Sequence, residues 1–432
     1  MVKKIGAAAM AAMMFMAIFT GCKKADPKRS EEPVSTFATL KSSEGDKVFE
    51  DLEPLSYQTV IEGSDYNQFV FNFAGSAWVD KDENMMVSPA SLFFAMEMLG
   101  AGANGNTLTE ISNVLVPGAS NEEALAFAAD YYKSLSSDEN ETIKLANEIL
   151  IREDIGGTYY EDYLNYVKDN FDAEVKVEPF DGNTVTKVNE WVNEHTDGMI
   201  PEIIKNLNEN TSMILVDAIA FDAKWENKYE EYDILEDSTF TNSKGEKEDV
   251  TLLYSGEEVY FETDKATGFM KYYEGEDFAF VAVLPKDESI TANEFLEGFT
   301  SEDYKAFLDS RTNDTVNAYI PEFSYDYANN DIANLLKDMG IHDAFEGEKA
   351  DFSNMSTHSQ AISQIIQKTH IELTSEGTKA AAATAIMVED ACEPIEADPP
   401  KTVRLDRAFA YMIVDTETNT PVFVGSVNSV NG

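Results

Sequence analysis

The first half of the chain has apolar residues mainly at helical spacing. Residues 88–99 carry such a pattern behind Ser88 and Pro89, which suit an N-cap and a first helical turn. Thr107 and Glu110 have the spacing of a capping box, so they predict a second helix that begins close behind them.

Strand-like runs dominate the second half of the chain. Stretches rich in β-branched and aromatic residues predict strands at 213–221, at 278–285 and in two runs near the C-terminus. Another helix is predicted at 332–339. Neither a linker nor an internal repeat interrupts residues 55–432, so the pattern predicts one large α+β domain.

Composition narrows the possible partners. The 432 residues include 80 acidic and 32 basic side chains, which gives a formal net charge of −48. Nucleic acid and anionic membrane surfaces are poor partners for such a chain, whereas basic proteins are attracted to it. With two cysteines and four histidines, the sequence predicts neither a disulfide framework nor a metal or other cofactor.

The N-terminus has the pattern of an export signal. Two lysines precede an apolar stretch, and residues 1–21 end in small residues just before Cys22. This resembles a bacterial lipoprotein signal, in which Cys22 becomes the lipidated first residue; an ordinary secretory signal is the alternative. Residues 22–54 are polar and predict a flexible tether. We therefore expect an extracytoplasmic protein, lipid-anchored at the cell surface or secreted.

Enzyme motifs are weak in this sequence. Gly100, Gly102 and Gly105 spell GxGxxG, but they follow a predicted helix rather than a strand, which favours a turn between helices. The sequence contains no GxSxG, HExxH or CxxC motif. We predict that the protein is not an enzyme.

The segment ELTSEGTKAAAATAIMVEDACEPIEADPP at 372–400 is the most informative. Its four alanines are typical of an ordinary helix, but that interpretation does not explain the acidic, proline-rich end. A period of two separates a small, largely apolar face from a face that is polar at both ends. The first face consists of Thr378, Ala380, Ala382, Thr384, Ile386 and Val388. A loop with this pattern can become a strand.

At this point the chain resembles the serpins, a family of serine protease inhibitors. EGTKAAAATA is similar to the serpin hinge, and serpin-like motifs precede and follow it in the family's order. These are SPASLFFAMEMLGAGANGNT, VNEWVNEHTDGMI, ILVDAIAFDAKWE, LLKDMGIHDAF with KADFS, and DRAFAYMIVDTETNTPVFVGSV. The resemblance covers nearly all of residues 60–430.

The resemblance implies a fold of three β-sheets and about nine helices, with a reactive loop at about 376–400. The implied hinge consists of Glu376, Gly377, Thr378, Ala380, Ala381, Ala382 and Ala383. The implied sheet-opening region contains Ser88, Ser91, Asp217, Gln367 and Trp225. The family usually has Asn at position 217 and His at 367, but Asp and Gln can also hydrogen-bond.

The resemblance also implies a mechanism. A protease would attack a loop bond and form an acyl-enzyme, and the severed loop would insert into the large sheet as a new strand. The family register predicts cleavage between Ala391 and Cys392; a shift by one residue would make Asp390 or Cys392 the bait, and Val388 is a further candidate. A small apolar bait suits elastase-like or subtilisin-like serine proteases.

Acidic residues surround the predicted bond. They either solvate the loop or attract a basic protease. No basic cluster marks residues 121–136, so a heparin-type cofactor is not expected, and we expect a monomer. The competing interpretation is a non-inhibitory, surface-bound serpin-fold binding protein. The acidic residues are Glu389, Asp390, Glu393, Glu396 and Asp398.

Overall fold

The computed structural model describes residues 64–136, 142–153, 159–207, 211, 213–358, 360–378 and 399–431. The predicted signal at 1–21, Cys22, the tether at 22–54 and most of the predicted reactive loop lie outside the described residues. The described residues contain nine α-helices. They are α1 (Tyr66–Ser76), α2 (Pro89–Gly102), α3 (Gly105–Leu115), α4 (Asn121–Ser136), α5 (Glu161–Phe171), α6 (Gly182–His195), α7 (Ala292–Glu297), α8 (Ser301–Asp309) and α9 (Ile332–Met339). None of these helices combines the length and apolar character that a membrane span requires.

The described strands form three sheets, the number that the resemblance implies. The first half of the strands are β1 (Met85–Val87), β2 (Ile143–Arg152), β3 (Glu174–Glu178), β4 (Met213–Phe221), β5 (Ala223–Lys224), β6 (Ile234–Thr241), β7 (Lys247–Glu257) and β8 (Tyr260–Glu262). The others are β9 (Ala266–Tyr272), β10 (Phe278–Pro285), β11 (Val316–Pro321), β12 (Phe323–Asn329), β13 (Ile365–Thr374), β14 (Gly377–Thr378), β15 (Lys401–Arg404), β16 (Phe409–Asp415) and β17 (Thr420–Val427). The predicted strands at 213–221 and 278–285 and the helix at 332–339 are confirmed as β4, β10 and α9.

Each sheet has its own strand order. One six-stranded sheet runs β1-β17-β16-β10-β9-β8, and a four-stranded sheet runs β15-β11-β7-β6. The largest sheet has seven strands in the order β3-β2-β4-β13-β14-β5, and β12 pairs with the other edge of β13. We call this seven-stranded assembly the large sheet.

Helix α2 joins two of these sheets. Its N-cap is Ser88, whose hydroxyl accepts a hydrogen bond from the amide of Ser91, and Pro89 occupies the first turn as predicted. The helix is apolar and buried nearly all round, and it packs against β17 of the six-stranded sheet and β4 of the large sheet. A helix without a polar face is stable only in such an interior position.

The predicted capping box at Thr107 and Glu110 is wrong. Helix α3 begins earlier, at Gly105, and its cap is Asn104, whose side-chain oxygen accepts from the Gly105 amide. Thr107 lies inside the helix and accepts from the amide of Asp351. Glu110 instead accepts from the backbone amides of His342 and Asp343, so this residue holds a distant loop rather than its own helix start.

The turn predicted at the GxGxxG motif is confirmed, since it joins α2 to α3.

The large sheet is buried on both faces near its centre. Along β4, Met213, Leu215 and Ile219 contribute to the main core, whereas Ile214 and Val216 contribute to a second cluster with residues of α6. Alternate residues of a strand point to opposite faces, so each face of β4 has its own apolar layer. This explains why the strand is apolar at every position except Asp217.

Glu97 is an unusual member of the α2 interior. Its side chain is fully buried, and neither carboxyl oxygen has a hydrogen-bond partner among the described residues. Burial raises the pKa of Glu97 to about 8. The folded state therefore holds this proton more tightly than the unfolded state, whose Glu pKa is about 4.3.

We expect Glu97 to destabilise the fold as pH rises. Its protonated form is compatible with the apolar interior, so the stabilisation is complete below about pH 4 and is lost as pH increases through 8. Glu97→Met should therefore stabilise the protein at pH 9, by on the order of 4 kcal/mol, and much less at pH 5. Thermal unfolding at both pH values measures the difference. Glu122→Gln, which changes an exposed acid on α4, is the control, and an equal gain from Glu97→Met at both pH values would contradict the expectation.

Candidate functional site

Strands β4 and β13 run parallel to each other, but they are hydrogen-bonded at one end only and are separated along the rest of their length. Ile365 and Ile366 pair with Leu215 and Val216 at one end. Beyond this point, no β-pairing joins the described positions 217–222 to positions 367–372. We call the end at Ile365 the closed end and the end at Thr374 the open end.

The two residues of β14 occupy the open end. Thr378 pairs with Leu373 of β13 on one side and with Ala223 of β5 on the other. Gly377 pairs in the same way with Thr374 and Lys224, and both ladders are antiparallel. The start of the predicted hinge is thus already a strand of the large sheet.

Gly377 is required by the narrow space between the two strands. Its φ angle is +156°, in the region that favours glycine. A Cβ atom at this position would lie 2.1 Å from the carbonyl oxygen of Ala223. Any other residue would therefore push β14 and β5 apart.

Thr378 points into the protein core. Its residue is only 2% exposed, and its hydroxyl lies 2.7 Å from the hydroxyl of Tyr273. Burial raises the pKa of Tyr273, so the phenol stays neutral and the hydroxyl pair satisfies two buried polar groups. The inward direction of Thr378 agrees with the face assigned to it by the period of two.

Trp225 holds the turn that precedes β14. Its backbone amide donates to the carbonyl oxygen of Glu376 at 3.1 Å, and its indole N–H donates to that of Thr374 at 3.0 Å. The indole is fully buried and stacks on the Tyr273 ring, with centroids 4.5 Å apart and planes 10° apart. We call Trp225 and Tyr273 the clamp, since together they hold both ends of the turn and the Thr378 side chain.

Glu322 supports the same turn from the other side. Its carboxylate accepts from the backbone amide of Ser375 at 3.0 Å. Inside the turn, the hydroxyl of Thr374 donates to the carbonyl oxygen of Gly377 at 3.4 Å. The backbone groups of residues 374–377 thus have several partners supplied by the surrounding structure.

Ser88 and Gln367 meet next to the closed end. The Gln367 side chain accepts from the Ser88 amide at 3.0 Å and donates to the Ser88 carbonyl oxygen at 2.8 Å. The Ser88 hydroxyl donates to the carbonyl oxygen of Val422. This arrangement ties β13 to the start of α2 and to β17.

Asp217 lies on β4 opposite Asn147 of β2, and its side chain is outside the described part of the chain.

The structure therefore brings the predicted residues together in two groups. Glu376, Gly377, Thr378 and Trp225 meet at the open end, and Ser88, Ser91 and Gln367 meet near the closed end. Sequence reasoning did not identify Tyr273 and Glu322. Tyr273 follows β9, and nothing in the local pattern pairs it with residues about a hundred positions away. Ala380, Ala381, Ala382, Ala383, Ala391 and Cys392 lie outside the described residues.

Comparisons with known proteins agree with this geometry. The family model described as "Serpin (serine protease inhibitor)" matches residues 64–430. A serpin-like protein of Methanosarcina mazei is 31% identical over 358 residues, which cover 80% of this chain and 81% of that protein. The crystal structure of the thermophilic serpin tengpin in its native state is 33% identical, with a TM-score of 0.77, and the match covers 84% of this chain and 93% of that one. Tengpin in its latent state gives a TM-score of 0.72 at 32% identity, with 84% and 97% covered.

We expect Gly377→Ala to release β14 from the large sheet. The added methyl group clashes with the backbone of β5, and the strained φ adds to this cost, which together are worth about 1–3 kcal/mol. Released loops are better protease substrates, so trypsin should cut after Lys379 at least about tenfold faster than in the wild type. The time course of the fragments on denaturing gels measures this.

Gly347→Ala is the matched control for this variant. A Cβ atom at Gly347 meets nothing within 4 Å, so this change should leave the trypsin rate unaltered. Equal cleavage rates in Gly377→Ala and wild type would show that β14 does not depend on the missing side chain.

Proposed function

The chain belongs to the serpin family, and we propose that it inhibits serine proteases as a suicide substrate. The protease would cleave the loop that follows β14, and the severed loop would enter the large sheet as a further part of that strand. Insertion of the reactive loop in serpins is one known form of strand addition to a sheet. Members of this family act on serine proteases in general, and the particular mechanism and target here are our proposal.

The docked pair Gly377–Thr378 is the observation that carries this proposal. Positions of β13 and the positions across from them in β4 or β5 differ by the same residue number at the closed end and at β14. No bulge therefore interrupts either strand between these two points. Continuing the antiparallel register sets residues 379–384 between the parted positions 217–222 and 367–372. Thr384 would then lie between Asp217 and Gln367, and Ala380 and Ala382 would share the inward face with Thr378.

This register explains the small residues of the hinge. Ala380 would face Ile371 of β13 and Phe221 of β4, which are both buried in the main core. An alanine adds a methyl group to that layer without displacing it, whereas a larger side chain would need the layer to move. Backbone hydrogen bonds to both neighbours would add to the stability of the inserted state.

The chemical step supplies the trigger. The serine hydroxyl of the protease would attack the carbonyl carbon of Ala391, the peptide bond to Cys392 would break, and Cys392 would leave with a new amino group. Until that cut, the loop is tied at both ends, to β14 and to β15. Cleavage frees one end, so insertion can then compete with hydrolysis of the acyl-enzyme.

The bait and its surroundings favour a particular class of protease. Ala391 suits the small pockets of elastase-like and subtilisin-like enzymes rather than trypsin-like ones, which require Lys or Arg. The loop acids would attract an enzyme with a basic surface, and the net charge of −48 acts in the same direction. A basic, elastase-like or subtilisin-like serine protease met outside the cytoplasm is therefore the proposed target.

The test is incubation with elastase, subtilisin and trypsin, followed by denaturing electrophoresis. We expect a denaturant-stable 1:1 complex with elastase or subtilisin, and mass spectrometry should show a released C-terminal fragment that begins at Cys392. A fragment with another N-terminus would show that the protease cleaves a different bond of the loop. Cleaved protein beside free, active protease would argue against trapping, and uncut protein with every protease would favour the non-inhibitory binding protein.

Thr378→Arg and Lys379→Glu form a control pair for the mechanism. Thr378 is buried against Tyr273, so an Arg there would carry a charge into the core at a cost of several kcal/mol. A barrier higher by about 3 kcal/mol slows insertion roughly a hundredfold, so this variant should be cut at the same bond and release active protease. Position 379 would face outward, and Lys379→Glu should still trap protease. Trapping by Thr378→Arg at the wild-type ratio would refute the register.

We also propose that a lipid on Cys22 holds the protein at the outer face of a membrane. The apolar segment and the small residues before Cys22 support this proposal. Cys22→Ser should move the protein from the membrane fraction to the soluble fraction of the expressing bacterium. If the variant stays in the membrane fraction, the lipid is not what attaches the protein.

A further inference from the structure

Lys271 is a buried lysine on a strand of the six-stranded sheet. It lies on β9 of the six-stranded sheet, opposite Phe280 of β10, and its side chain is 1% exposed. A lysine without partners is too costly to bury, so its contacts indicate what the residue does. Its described polar partners are the Glu257 carboxylate and the carbonyl oxygen of Asn227.

An ion pair compensates the buried charge. The ammonium group of Lys271 lies 2.9 Å from a carboxylate oxygen of Glu257, whose side chain is 9% exposed. The same oxygen accepts from the hydroxyl of Ser255 at 2.6 Å. Ser255 and Glu257 both belong to β7, so the ion pair joins the six-stranded sheet to the four-stranded sheet.

The remaining contacts of Lys271 go to the segment that follows β5. Its ammonium group donates to the backbone carbonyl oxygen of Asn227 at 3.1 Å. It also lies 4.6 Å from the ring centroid of Tyr229 and 5.4 Å from that of Trp225, within the range of cation–π contacts. One cation therefore contacts the backbone and both aromatic rings of residues 225–229.

We propose that Lys271 is a positioning residue that holds Trp225 of the clamp and thereby keeps β14 docked in the large sheet. Trp225 supplies two hydrogen bonds to the turn at 374–377, and it can do so only if its indole and its backbone keep their orientation. Lys271 fixes the indole from one face, while Tyr273 stacks on it. The 2.9 Å ion pair with Glu257 holds the ammonium group in place.

The consequence for inhibition rests on the proposed function. A docked β14 gives the cleaved loop a nucleus from which to extend, and forming such a nucleus is the unfavourable part of adding a strand. When the clamp loosens, β14 leaves the sheet for part of the time and insertion starts more slowly. Hydrolysis of the acyl-enzyme then competes better with loop insertion, so more inhibitor is cut without trapping the protease.

The test uses the full chain with the double change Lys271→Met and Glu257→Gln. This leaves no unpaired charge, Gln keeps an oxygen for Ser255, and apolar replacement of buried ion pairs is usually tolerated. Hydrogen exchange of the amides at 374–378, followed by mass spectrometry without any protease, should become about tenfold faster. Amides of β10 should exchange as in the wild type.

Two further variants complete the test. Glu257→Gln alone, which keeps the lysine, should give a smaller increase at 374–378. Lys286→Met removes a 2.9 Å ion pair to Glu262 that is exposed and does not touch the clamp, and it should give none. Unchanged exchange at 374–378 in the double variant would overturn the proposal. So would an increase that is equally large in β10, because this would indicate a purely structural role.

The protease assay separates this inference from the proposed function. With a protease that the wild type traps, the double variant should show a larger cleaved, uncomplexed fraction and no slower association. Misfolded inhibitor would instead be cut at many positions along the chain rather than at the loop bond alone. If no protease is trapped even by the wild type, the proposed function fails, but the hydrogen-exchange result still decides whether Lys271 positions the clamp.

Discussion

Two parallel strands, β4 and β13, share a sheet but pair directly only at Ile365 and Ile366. At the other end, Gly377 and Thr378 lie between β13 and β5, the strand that follows β4, and pair with both. This separation of the strands determines which residues fit at positions 377 and 378. The space fits a backbone but not a Cβ atom at position 377, and it buries the side chain at 378. A longer strand in the same register would extend pairing that already exists, as far as the point where β4 and β13 pair directly.

The hinge is held by parts of all three sheets. Trp225 follows β5 of the large sheet, Tyr273 and Lys271 belong to or follow β9 of the six-stranded sheet, and Glu257 ends β7 of the four-stranded sheet. Aromatic stacking, a cation–π contact and an ion pair connect them in sequence. A displacement of one sheet relative to the others would therefore reach the turn at 374–377 through contacts of 2.9–5.4 Å.

Sequence patterns predicted what depends on neighbours along the chain. The apolar run at 213–221 gave β4, and the Ser88–Pro89 pair gave the start of α2, because periodicity and caps are local. The box at Thr107 failed because Asn104 caps α3 three residues earlier, which frees Glu110 to bind the amides of His342 and Asp343. Lys271 left a faint signal, since it shares a face of β9 with the apolar Phe269. Its partner, however, depends on how two sheets meet, and no local pattern encodes that.

The length of the apolar loop face matches the length of the strand beside which it would insert. In the register set by β14, Ile386 would lie between Leu215 and Ile365, at the closed end, and Val388 would lie opposite Met213, the first residue of β4. The next inward position is Asp390, beyond the end of β4, where a carboxylate can remain in water. Full insertion must therefore break the pairing at Ile365 and Ile366, and it ends where the apolar face ends. Ala391 would then lie about 40 Å from Thr378 along the sheet, since a strand rises about 3.3 Å per residue. A protease bound to Ala391 would be carried to the opposite end of the large sheet, so the position of the bait follows from the length of β4.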